Sequence, residues 1–351
     1  MVASIVAGGA ASALLLVASP ASAKPGAEPV GERLTVVAAG SARPLTCARS
    51  GRVWQRVGRP RAARACDLLL QGSARLAGDP RAALALAEEA SELVPDRAAP
   101  RVLVARARLA LGDFAEAARG FAAAEELDAG ALRAPMDLLA AARAAASTGD
   151  FSTALRRYRR LVPRASLLAD DAERQRALLE AALVAQAVSP ELLGEARAYA
   201  AEVRRQGSLY YADLARAVLA LALDREGRFP EAVAVAAELD GVGLLEWLFE
   251  RDASPRGRPG EVVPVWPDVE RDALVAVVAE PIDPSLAAQA WEEYLRRATR
   301  ARAPRHLLDH ARRRLAERGV DVGGLEQVVD GAEVGGGSGE SDGADDGEGE
   351  D

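Results

Sequence analysis

The sequence predicts an all-α solenoid of about five to six antiparallel helix pairs closed by a capping helix. Three observations carry that expectation. Alanine dominates a composition with only 4% aromatic residues. Helix-length blocks of apolar periodicity are separated by short Gly-Asp, Ser-Pro or Asp-Pro breaks. A small, bulky, small spacing of apolar residues returns after several of those breaks. Alanine has the highest helix propensity and lets helices approach closely, so the composition and the periodicity point the same way.

Residues 1–23 read as an export signal. An apolar stretch from Ala10 to Ala18, centred on Leu14, Leu15, Leu16 and Val17, precedes Pro20 and Ala21-Ser22-Ala23. Small residues at Ala21 and Ala23 fit a cleavage site after Ala23, which predicts a periplasmic or secreted mature chain. No Lys or Arg precedes the apolar core, so retention of residues 1–23 as a membrane anchor is the competing expectation. Its apolar run is short for a spanning helix, and no later segment reaches that length, so no integral span is expected in the mature chain. Residues 24–61 read as a flexible lead-in and N-terminal cap, rich at first in Pro, Gly and Ala. Between Arg43 and Arg64 lie seven arginines, no acids and Trp54, either a dock for an acidic partner or a solvated cap.

From 62 to 251 the repeating units follow one another. Gly112-Asp113-Phe114 precedes Ala117, Phe121 and Ala124. Gly78-Asp79-Pro80 precedes Ala83, Ala87 and Ala90, and Gly149-Asp150-Phe151 precedes Ala154, Tyr158 and Leu161. Ser189-Pro190 leads to Ala196, Ala200 and Val203, and Gly227-Arg228-Phe229 to Ala232, Ala236 and Leu239. Residues four and then three apart share one helix face. The small ones admit a neighbouring helix and the bulky one fills the gap. Glycine in such a turn can take the left-handed conformation that ends one helix, and aspartate can cap the next. Residues 252–267 interrupt the pattern as a Pro-rich insertion whose Trp266 and valines need burial. Residues 268–319 resume it as a helix pair, with Ala287, Trp291, Tyr294 and Leu295 after Asp283-Pro284, then an Arg-rich capping helix over 304–318. Residues 320–351 form an acidic Gly/Asp/Glu/Ser tail expected to be disordered.

On these turns and spacings the chain resembles the tetratricopeptide repeat family, most closely over 64–97 and 98–131, where Pro95 stands at the family's late proline. The resemblance implies a right-handed superhelix whose first helix of each pair lines a concave groove that binds a protein or peptide. Counted from the turns, Arg106 and Arg143 occupy the same first-helix position, and Arg75 lies near the groove of the first unit. Stacked arginines there would suit a carboxylate-bearing peptide. The family's early Trp and mid-helix Leu-Gly are mostly replaced by alanine.

Charge excludes one class of partner. The net charge is −8, but nine acids and no bases fall between Asp330 and Asp351, which leaves the rest of the chain at +1. A near-neutral body is not the footprint of a nucleic-acid binder. Arg296, Arg297, Arg300, Arg302, Arg305, Arg312, Arg313, Arg314 and Arg318 cluster in the closing helices, where the acidic tail could return to meet them.

Catalytic equipment is sparse. The only histidines, His306 and His310, are four apart and followed by no third His or Cys ligand. With Asp309 they look superficially like the inverted H-x-x-E-H zinc pattern, which gives a metal-dependent hydrolase as the alternative reading; the other is a solvated capping helix. No phosphate-cradling Gly loop follows a strand, so no cofactor is expected, and the chain is read as a non-enzymatic adaptor. Cys47 and Cys66, the only cysteines, are expected to pair in an exported chain and close a loop of 19 residues.

Overall fold

The computed structural model describes residues 34–35, 46–47, 59–168, 170–207, 211–253 and 269–321. These residues hold fourteen α-helices that pack as adjacent pairs, so the all-α solenoid expectation holds at that level. The pairs are α1 (Pro60–Arg75) with α2 (Pro80–Leu93), α3 (Ala98–Leu111) with α4 (Phe114–Leu127), and α5 (Pro135–Ser147) with α6 (Phe151–Leu161). They continue with α7 (Asp171–Val188) and α8 (Leu193–Arg205), α9 (Ala212–Arg225) and α10 (Phe229–Ala237), then α12 (Glu270–Ala279) and α13 (Pro284–Arg300). Helix α11 (Gly241–Ala253) stands between the last two pairs, and α14 (Arg305–Ala316) closes the array. Short 3-10 segments, Val162–Leu167 and Pro190–Leu192, flank α7. A two-residue antiparallel pairing of β1 (Leu34–Thr35) with β2 (Thr46–Cys47) lies beside α1.

The turns within the pairs repeat one piece of backbone chemistry. Gly112, Gly149 and Gly227 take positive φ of 88°, 80° and 79°. In each case the next residue's N–H returns to the carbonyl five residues back: Asp113 to Arg108, Asp150 to Ala145, Arg228 to Leu223. Glycine meets this left-handed position without a Cβ penalty and satisfies carbonyls that the helix end leaves open. Gly78 departs from the expectation: it is not among the positive-φ residues, and Asp79 N–H reaches only to Arg75 O. Arg302, φ 53°, occupies the same left-handed position after α13 without being glycine. Asp79, Asp150 and Asp283 cap their helices through Ala82, Thr153, and both Ser285 and Leu286 N–H, whereas Asp113 makes no side-chain cap.

The small, bulky, small positions all point inward. Ala117, Phe121 and Ala124 are fully buried, as are Ala83, Ala87 and Ala90, and Ala287, Trp291 and Tyr294. Close approach is visible at Gly120, where a Cβ would lie 3.0 Å from the Cβ of Ala105 on the neighbouring helix. Most apolar residues from Ala98 to Leu315 form one continuous core, while α1 and α2 share a smaller one with Ala99 and Leu103.

Burial divides the array. The first helices α3 and α5 keep partly exposed residues at Arg106 and Ala110, and at Met136, Ala140, Arg143 and Ser147. From Ala177 to Ala187, Ala217 to Arg225 and Asp272 to Ala279, by contrast, α7, α9 and α12 are buried on every face. An amphipathic stripe therefore becomes an all-round buried helix partway along the chain.

Some expectations lie elsewhere. Helix α11 falls inside the span read as a repeat, and it runs on to Ala253, past the start of the Pro-rich insertion. Trp266 and the valines of that insertion, the export signal, most of the N-terminal lead-in and the acidic tail lie outside the described residues. Among the described residues no helix is long and apolar enough to cross a membrane.

Replacing the fully buried Phe121 by alanine should destabilise the protein by about 3–5 kcal/mol in urea unfolding. Replacing Phe114, 43% exposed on the same helix, should shift stability by only about 0.5 kcal/mol.

Candidate functional site

The predicted groove arginines divide. Arg75 is exposed in the last turn of α1. Arg106 on α3 reaches forward to Asp137 on α5, 3.1 Å away, with 29% of its side chain exposed. Arg143 on α5 reaches forward to α7, with Nη1 2.8 Å from Glu173 and Nε 2.9 Å from Glu180. Each arginine thus bridges its own helix to the first helix of the next pair. The immediate partners of both arginines are carboxylates of this chain.

Around Arg143 the bridge becomes a buried cluster. Glu180 is fully buried and also accepts from the Tyr158 hydroxyl at 3.0 Å, and Arg176 pairs with Glu173. Burial disfavours the Arg143 cation, but Glu180 and Glu173 outweigh it and hold the guanidinium charged. Burial first, then the Glu180 charge, pushes the Tyr158 phenol well above its ordinary value, so the hydroxyl stays protonated and donates. A charged, hydrogen-bonded quartet with balanced signs is stable in low dielectric only because every member is paired.

A second buried cluster joins the last pairs. Arg225, at the end of α9, lies 3.0 Å from Gln186 Oε1 on α7, 2.9 Å from Glu270 on α12, and 3.3 Å from the Tyr294 hydroxyl on α13. One guanidinium, whose five N–H donors fan out in a plane, therefore ties four helices. Burial disfavours the Arg225 cation, and the adjacent Glu270 carboxylate outweighs it.

The two histidines belong to a third arrangement. His306 Nε2 is 3.1 Å from the backbone carbonyl of Gln186, in the last turn of α7. The residue four further on is Pro190, which has no N–H to give that carbonyl, so the imidazole supplies the donor. His310 is 3% exposed and its Nε2 lies 2.8 Å from Asp224, in the last turn of α9. Arg314 reaches Asp224 at 3.3 Å and Glu280 at 3.3 Å, and Arg318 pairs with Glu280, the residue that ends α12. The series 306, 310, 314, 318 is one face of α14 extended by a turn. It runs across the C-terminal ends of α7, α9 and α12 in sequence order.

The capping helix is therefore present as expected, but its histidine face is not solvated. Its outer face is: Asp309 sits there, paired with Arg305 and Arg312. The two imidazole Nε2 atoms engage different groups rather than converge, and among the described residues no cluster of three or more His, Cys, Asp or Glu could hold a metal. Cys66 lies on α1, whose neighbour β2 carries Cys47, and there is no free cysteine among the described residues.

The sequence carried faint signals of these partners. Glu180 follows Arg143 by 37 residues, the interval between Gly112 and Gly149, so the repeat returns an acid where the preceding unit has a base. The four-residue stripe beyond His310 and the proline at position 190 were equally visible. No spacing rule, however, connects residue 310 to residue 224. Compared with known proteins, the chain matches no family model, and no curated protein matches it.

Replacing Arg143 by methionine should cost about 3–5 kcal/mol, because it leaves buried Glu180 short of its partner. Replacing Arg106 by methionine should cost about 1 kcal/mol or less, since that pair is partly exposed. Urea unfolding of the two variants checks the order.

Proposed function

We propose that the chain is an exported, tetratricopeptide-like scaffold that binds a protein or peptide segment along the open face of α3 and α5, without catalysing a reaction. The observation that carries this reading is the change in burial along the first helices. Arg106 with Ala110 on α3 matches Arg143 with Ser147 on α5 as partly exposed positions, and Met136 and Ala140 extend the stripe on α5 alone, while the position equivalent to Arg143 on α7 is the fully buried Glu180. Met136, 38% exposed, offers an adaptable apolar contact, and Arg106, which pairs with the next residue Asp137, favours a ligand with a carboxylate near an apolar anchor. Helices already folded and cross-braced lower the ordering cost of capture.

In the finer form of the proposal the helix pairs make a right-handed solenoid of about five to six units. Residues 1–23 are removed after Ala23 on export, the mature chain serves in a periplasmic or secreted cell-envelope complex, and Cys47 pairs with Cys66. That bond would tie the N-terminal segment to α1 and contribute about 3 kcal/mol by restricting the unfolded chain. The hydrolytic alternative at His306 and His310 is the weaker reading, because both Nε2 atoms already serve Gln186 and Asp224.

Affinity capture from the native envelope fraction tests the groove. A Met136→Glu, Ala140→Glu double variant should lose the co-purifying partner at least tenfold, and Arg119→Ala, on the second helix of its pair, should retain it. Equal capture by both variants removes the groove from the proposal. Intact mass of the exported protein should start at Lys24, and without reductant it should be lighter by two hydrogens; a mass retaining residues 1–23 supports the anchored scaffold instead.

A further inference from the structure

Helix α14 packs along α13, with Leu307, Ala311 and Leu315 buried and Leu308 partly so, and presents the polar stripe His306, His310, Arg314 and Arg318 to its other neighbours. The stripe lies over three helix C-termini, where the helix dipoles present partial negative charge. Asp224 and Glu280 add full negative charge at two of those ends. This surface is made to receive a basic amphipathic helix. The present occupant is joined to α13 by the short connection Ala301–Pro304, in which Arg302 takes the left-handed φ of 53°.

His310 is the centre of the contact. An ionised Asp224 accepts from the ring, so the neutral imidazole carries its proton on Nε2 and leaves Nδ1 to face Arg313 at 3.4 Å. The groups around it are Asp224 and Arg225 from α9, Arg313 and Arg314 from α14, and Trp291 and Tyr294 from α13. Trp291 meets the imidazole edge-on at 5.4 Å. Glu270 and Glu280 of α12 enter through Arg225 and Arg314. A cation at His310 would have one carboxylate, already shared with Arg314, and three guanidinium neighbours.

We propose that α14 is a tethered ligand helix that leaves its seat when His310 takes up a proton, exposing a docking surface on the ends of α7, α9 and α12 for a partner's basic amphipathic helix. The surface is separate from the open stripe of α3 and α5, so it stands whether or not that stripe binds a peptide. Burial, with the charges of Arg225 and Arg313, lowers the His310 proton affinity, and Asp224 opposes them incompletely. The folded state thus binds the proton less well than the unfolded chain does. Its stabilisation is complete above the ordinary histidine range near about pH 6.5 and is lost as pH falls below it. With twelve residues, α14 does not hold its helix alone, so release is a local unfolding.

Two measurements on the full chain test this. The first is amide hydrogen exchange between pH 7.5 and 5.5, corrected for intrinsic rates. The opening constant of residues 306–316 should rise by up to about tenfold per pH unit below about 6.5, with no such rise in α3 to α6. The His310→Gln variant, which keeps a donor for Asp224 and cannot titrate, should remove the rise. The chain has two histidines, so NMR titration of the unmodified protein provides a readout independent of that variant. Protonation of His310 must coincide with the opening of α14.

The second measurement uses a labelled peptide of residues 303–320 carrying His310→Gln. It should bind the full chain on the order of tenfold more tightly at pH 5.5 than at pH 7.5, where the tethered helix excludes it. A uniform pH response in all helices, a response that survives in His310→Gln, or an open α14 with no peptide binding at pH 5.5 would each overturn the proposal.

Discussion

The close approach of alanine-lined helices is the constraint on which the rest of this structure depends. Where Ala105 faces Gly120, or Leu103 crowds Gly72, one added methyl group would meet a neighbour at about van der Waals overlap and require it to shift. Such packing gains dispersion from many short contacts, although each alanine removes little apolar area from water. Helices this thin can be surrounded by others, which is why α7, α9 and α12 are buried around their whole circumference. A leucine-rich array of the same length would hold its helices farther apart and leave wider grooves between them.

Alanine packing has a weakness, which is that one alanine face fits another in several registers. The buried charges supply what the alanines lack. Arg143 can meet both Glu173 and Glu180 only if α5 and α7 sit at one height, and Arg225 can reach Gln186, Glu270 and Tyr294 only if α7, α9, α12 and α13 are all in place. Ion pairs this deep add little net stability against an apolar replacement, but a wrong register leaves a bare charge in low dielectric. Their contribution is to make alternatives costly. Their placement between successive first helices, where alanine faces would otherwise slide, fits that role.

Local features were legible in the sequence, and long-range ones were not. The turns at Gly112, Gly149 and Gly227 and the inward triads such as Ala117, Phe121 and Ala124 depend on backbone sterics and on residues a helical turn apart, so spacing reveals them. Gly78 shares the same letters yet keeps a different backbone, because a Gly-Asp pair permits the left-handed turn without requiring it. The arginines at 106 and 143 each stand on the first helix of a pair, but what a guanidinium faces is decided by the next helix pair. Helix α11 hid within a repeat because its apolar pattern differs little from its neighbours'. For the histidine helix, spacing alone left a metal site as the alternative to a solvated cap, and the fold places the two imidazoles on separate helix ends.

Why histidine, rather than another arginine, stands at position 310 follows from the charges already present. Arg225, Arg313 and Arg314 surround the place, and Asp224 is the carboxylate that His310 meets, at 2.8 Å. A further guanidinium, which cannot lose its proton, would leave an excess positive charge in a site that is almost closed to water. A glutamine could donate to Asp224 but would lose the edge-on contact with Trp291. A neutral imidazole satisfies the acid, packs against the indole and adds no charge. That solution works only while the ring remains neutral, so the helix that closes the array depends on a side chain of the kind whose charge changes near neutral pH. At position 306 the demand is simpler: Pro190 leaves one carbonyl of Gln186 without a donor, and the ring supplies it. The two histidines are alike in sequence spacing and different in what they mean, since one completes a helix end and the other couples the closure of the array to protons.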